Sequence, residues 1–162
     1  MASTYEPIAT TTLGSAASSY TFSSIPSTYT DLVLVTVGTL SGGTDRGLLF
    51  QVNSDTGTNY SLTLLDGNGT SASSGRDTNS NFGNAGLAST SNQCVSIAHF
   101  MNYANTTTYK TVLSRGNNSG YRVRAAVSLW RSTSAISSIT IYDSAYNLSS
   151  GFTATLYGIK AA

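Results

Sequence analysis

Ionic side chains are scarce in these 162 residues: charged residues make up 9% of the chain, with one glutamate (Glu6) and two lysines (Lys110 and Lys160). The straight-chain charged residues that coat an exposed helix face are nearly missing, so a helical surface cannot be built. A formal net charge of +1 offers no field to steer the chain toward nucleic acid or anionic lipid. The single cysteine, Cys94, excludes an internal disulfide, and with only one histidine there is no Cys/His cage for a metal. No apolar run approaches a membrane span, and Met1 to Pro7 shows neither a basic n-region nor an apolar h-region. The expectation is a protein made in a cytoplasm, with no membrane or nucleic-acid partner, no metal and no cofactor.

What is present is apolar and hydroxylic. Apolar residues stand at 40%, too many for a disordered chain, and Ser and Thr fill roughly a third of all positions. Tyr, Thr, Val and Ile suit a half-buried pleated surface, while Gly, Asn, Asp and Ser suit the turns between strands. The length matches one domain, 1–162, closing one core.

Periodicity agrees. Leu32 to Val37 is apolar on both alternating faces and ends at Gly38, as a central covered strand would. Leu48 to Asn53 and Tyr60 to Leu65, separated by Asp55-Thr56-Gly57, read as a hairpin. Cys94 to Tyr103, Tyr109 to Arg115 and Tyr121 to Trp130 read as a meander, its second turn at Gly116 to Gly120. In the last strand Tyr121, Val123, Ala125, Val127 and Leu129 form the expected inward set. With 136–142, 152–159 and shorter pieces near 8–13 and 20–22, eight to ten strands emerge, the pattern of an all-β antiparallel two-sheet sandwich of jelly-roll type. Asp66 to Gln93 is too long for an ordinary connection, so it carries an extra strand or lies on a neighbour.

Catalytic chemistry finds no foothold. His99 sits mid-strand without a positioned nucleophile and acid, no Gly-x-Ser-x-Gly elbow occurs, and Asp45, Asp55, Asp66 and Asp77 stand where side chains cap turns. Asp66-Gly67-Asn68-Gly69 lacks the ligand series of a calcium loop. Cys94 reads as a small buried hydrophobe. The expectation is no enzyme and no catalytic residue. The candidate partner-binding patch is Arg122, Arg124 and Trp130 on the outer face of their strand, with Arg131 closing it, because Arg and Trp most often anchor interfaces. The competing reading makes this a second buried face, with Trp130 in the core and the arginines reaching to the rim.

Thr10 to Ala16 and Phe22 to Val35, then Met101 to Asn105, Tyr109 to Asn117, Leu129 to Thr133 and Phe152 to Lys160, resemble small Ser/Thr/Gly-rich proteins of tailed phages, notably those of aquatic bacteria and cyanobacteria. The resemblance spans nearly the whole chain. It implies a virion structural component on the capsid surface: a decoration, or cement, protein that binds the major capsid protein or another virion protein and stabilises the shell. A homo-oligomer, by analogy a trimer, would be its working form. The alternative it implies is a tail-fibre or receptor-binding module contacting the host surface, for instance through 66–93.

Overall fold

A computed structural model describes residues 4–43, 46–118 and 120–160. Among the described residues there are twelve strands and no helix: β1 (Tyr5–Thr12), β2 (Ser19–Phe22), β3 (Asp31–Gly38), β4 (Arg46–Val52), β5 (Tyr60–Gly67), β6 (Ala72–Ser80), β7 (Gly83–Ala88), β8 (Cys94–Met101), β9 (Lys110–Asn118), β10 (Arg122–Trp130), β11 (Ile139–Tyr142) and β12 (Thr153–Ile159). Eight form one sheet in the order β1-β12-β3-β8-β9-β10-β5-β6, and four form a second in the order β2-β11-β4-β7. Every pairing between neighbouring strands is antiparallel. The all-β two-sheet plan expected from composition is the observed one.

The core lies between the sheets. Leu32 and Leu34 of β3, Ala98 and Phe100 of β8 and Val112 of β9 point from the large sheet toward Leu48, Phe50, Ile139 and Ile141 of the small one. Phe50 stacks edge-on against both Phe100 and Tyr60, at centroid distances of 5.1 and 6.2 Å. Edge-to-face contact sets the negative ring face against the positive edge, which adds to simple burial.

One local expectation is corrected. The segments 48–53 and 60–65 do not form a hairpin, because β4 pairs with β11 and β7 in the small sheet while β5 pairs with β10 and β6 in the large one. Buried Tyr60 fixes this crossing: its hydroxyl accepts the Val52 N–H at 3.0 Å and donates to the Asp55 carbonyl at 3.1 Å. The span 66–93 carries strands of its own, the first of its two expected alternatives, and there are two of them, of opposite character. β7 is buried at every residue, whereas β6 is mostly exposed on both faces.

β7 is also an edge strand of the small sheet, paired only with β4. Its other backbone edge would be left with buried unpaired groups, a costly state. Serine hydroxyls of the large sheet supply the partners. Ser128 Oγ accepts the Asn84 N–H at 3.0 Å, Ser114 Oγ donates to the Asn84 carbonyl at 2.8 Å, and Ser96 Oγ serves Leu87. So close an approach needs small residues beneath it: a Cβ on Gly116 would lie 2.5 Å from the Leu87 nitrogen.

Candidate functional site

The packing of β7 decides which way β10 faces. Ala126, Ser128 and Trp130 are buried under the second layer, while Val123, Ala125 and Val127 face solvent. This reverses the expected facing. The expected inward set is the more apolar one, but the small residues of the other set leave room for β7, and that determines the side that is covered.

Arg122, Arg124 and Trp130 are accordingly engaged within the chain. Arg124 donates from Nε and Nη2 to the two carboxylate oxygens of Asp66, each at 2.7 Å, and Arg122 Nη1 lies 3.4 Å from Asp66 Oδ2. This bidentate fork is the strong arrangement for an arginine and a carboxylate. The hydrogen bonds from Arg124 hold the Asp66 carboxyl below its ordinary pKa against the opposing effect of burial. Trp130 is 3% exposed and donates from Nε1 to Asp55 Oδ2 at 2.6 Å. Arg131 follows β10 and donates from Nη2 to the Thr58 carbonyl at 2.6 Å. The structure thus brings Arg122 and Arg124 together on Asp66 and places Trp130 apart, as a staple on the turn between β4 and β5. Asp66, in β5, is held by guanidinium groups, and the neighbouring Asn68 is a turn former that accepts the Thr70 and Ser71 N–H groups.

The surface left open is the opposite face of the same sheet. Register aligns its side chains in three rows across four neighbouring strands: Val33, His99, Leu113 and Val127; then Val35, Ile97, Arg115 and Ala125; then Val37, Val95, Asn117 and Val123. Leu65 of β5 extends the second row and is 57% exposed, and Val123 is 59% exposed. The face holds a trough of about 690 Å³ whose lining includes Tyr5 from β1 and Ser74 from β6. Strands at opposite ends of the sheet order share one hollow, so the sheet curls around it. Apolar faces of this extent mark sites of contact in soluble proteins.

Polar groups on this face gather toward its margins, where register adds Thr63 and Arg76 beyond Val127, and Thr153 and Thr155 beside Val37 and Val35. His99 Nε2 lies 3.3 Å from Asp31 Oδ2, too far off line to count as a hydrogen bond, and Asp31 Oδ1 accepts the Asn102 N–H at 2.5 Å. Arg115 is exposed and, among the described residues, makes no ion pair. No group of three or more potential metal ligands occurs among the described residues. Lys110 lies away from this face: it is 1% exposed and donates to the Thr108 and Thr133 carbonyls at 2.7 and 3.1 Å, and burial pulls its pKa down. Cys94 is buried, as expected of a small hydrophobe.

Leu113, Val123 and Val127 are the residues that the sequence did not offer as a site. The signal available was the row of small residues on the other side. Ser96 pairs with Gly116, and Ala98 with Ser114, which pairs with Ala126. Small residues side by side on adjacent strands mark where another backbone approaches closely.

No family model matches the chain, and no curated protein matches it. Among solved structures, an alginate lyase in complex with an alginate tetrasaccharide is similar at a TM-score of 0.32 and 8% identity, over 82% of this chain and 70% of that one.

Proposed function

We propose that the chain is a structural protein of a virion, most simply a capsid decoration protein that binds other protein and performs no reaction. The observation that carries a binding role is the apolar outer face of the large sheet. Water contact there is unfavourable at roughly 25 cal/mol per Å², so the face gains from a protein cover. The virion setting rests on the whole-chain resemblance to small phage proteins. A rigid sandwich needing no disulfide suits a part that folds in a host cytoplasm and then works outside it. We read β1-β12-β3-β8 facing β2-β11-β4-β7 as a jelly roll whose first sheet is widened by β9, β10, β5 and β6; the strand orders support this.

A second reading, a receptor-binding module of the tail, draws on β6. That strand is exposed on both faces and rich in short polar side chains, as a reaching edge would be. The number of copies per purified particle separates the two. Densitometry against the major shell protein should give a count comparable with the shell subunits for a decoration protein. A handful of copies would favour the tail, and absence from particles would contradict both.

A further inference from the structure

The reading of the outer face as a protein contact surface leaves its occupant open. We propose that the occupant is a second copy of this chain, packed face to face about a two-fold axis, with each copy's Arg115 meeting the other's Asp31. The proposal rests on that reading of the face but does not depend on the virion setting.

Area is the first support. Leu65, Leu113, Val123, Val127, Met101 and Val95 are each 37–59% exposed. With the half-buried residues between them they present on the order of 600 Å² of apolar surface, the upper end of what a monomer ordinarily shows. A standard stable interface takes about 800 Å² from each partner, a size that this patch with its polar margin approaches.

Charge is the second. Within the apolar rows Arg115 is a cation that pairs with no carboxylate among the described residues, and covering it with an apolar surface would strand a charge. Among the described residues the same face supplies a carboxylate, Asp31, at the start of β3. Arg115 pairs in register with Ile97, which pairs with Val35, so it lies two strands across and four residues along from Asp31. His99 sits midway between them. In a two-fold contact, residue i meets j and j meets i. A two-fold axis that lies in the contact plane, runs past His99 and stands perpendicular to the line from Arg115 to Asp31 therefore sets each arginine on the other copy's carboxylate.

Sedimentation velocity on the purified full chain, up to about 100 µM, tests this. A species of twice 16.8 kDa is expected. Leu113→Asp and Val127→Asp should each return it to monomer with an unchanged far-UV circular dichroism spectrum, and Arg115→Glu should weaken association at least tenfold. If an aspartate variant fails to fold, Val123→Ser, at a more exposed position, serves as the second reading and should also weaken it. A monomer at the highest concentration, a trimer, or a dimer indifferent to these changes would overturn the proposal. A monomer that still binds particles would sink this pairing and leave the assembly role standing. A dimer absent from particles would do the reverse.

Discussion

The hydroxyl of Ser96 satisfies both backbone groups of Leu87, accepting its N–H at 2.9 Å and donating to its carbonyl at 3.0 Å. One side chain of β8 thereby does for β7 what a neighbouring strand would do. Ser96→Ala leaves both groups buried without a partner, and should cost about 1–3 kcal/mol in urea unfolding. Ser74→Ala, on exposed β6, should move the midpoint little.

The same contact constrains glycine. Gly86 has φ +137°, and a Cβ there would collide with the Ser96 side chain. Gly86→Ala should therefore destabilise by about 1–3 kcal/mol, through backbone strain and overpacking together. Ser96→Ala should not rescue it, because the unfavourable φ remains. Paired denaturation curves would show this.

Trp130 is the chain's one tryptophan, which makes its burial directly readable. Its emission should be blue-shifted and resistant to iodide. Trp130→Phe should keep the fold but lose the hydrogen bond to Asp55, at about 1–3 kcal/mol, since the acceptor is charged.

Asp55 and Asp66 set the acid limb of the stability curve. Burial raises the Asp55 pKa, but hydrogen bonds from Trp130, Asn59 and the Gly57 amide together outweigh it, so the net direction is downward; Asp66 also moves down, chiefly through Arg124. A carboxyl with a depressed folded-state value contributes fully above its unfolded value, near 3.8, and loses that contribution as pH falls through the lower folded value. Stability should thus fall below about pH 4. Asp66→Asn should lower stability at neutral pH and flatten this acid loss, as read by urea midpoints across pH.

The two-sheet class was legible because both signals behind it are local: the short apolar run Leu32 to Val37, ending at Gly38, reads as a strand by itself, and the shortage of Glu and Lys rules out helical surfaces without reference to packing. The facing of β10 was not legible in the same way. Both of its side-chain sets contain apolar residues, and the choice between them is made by β7, forty residues earlier in the chain. The hairpin failed for a similar reason. Asp55-Thr56-Gly57 is a turn, but a turn sequence does not say whether the next strand returns to its own sheet or crosses to the other. Asp66 looked like a turn aspartate because its partner, Arg124, is brought beside it only when β5 pairs with β10.

Carbene footprinting of the purified chain, followed residue by residue, tests most directly which face of the eight-stranded sheet is the surface for contact. In dilute solution Leu113, Val123 and Val127 should label while Ala126 and Trp130 stay silent, and the labelling should fade as the chain associates. Strong labelling of Trp130 with Val123 and Val127 silent at the lowest concentration would contradict it.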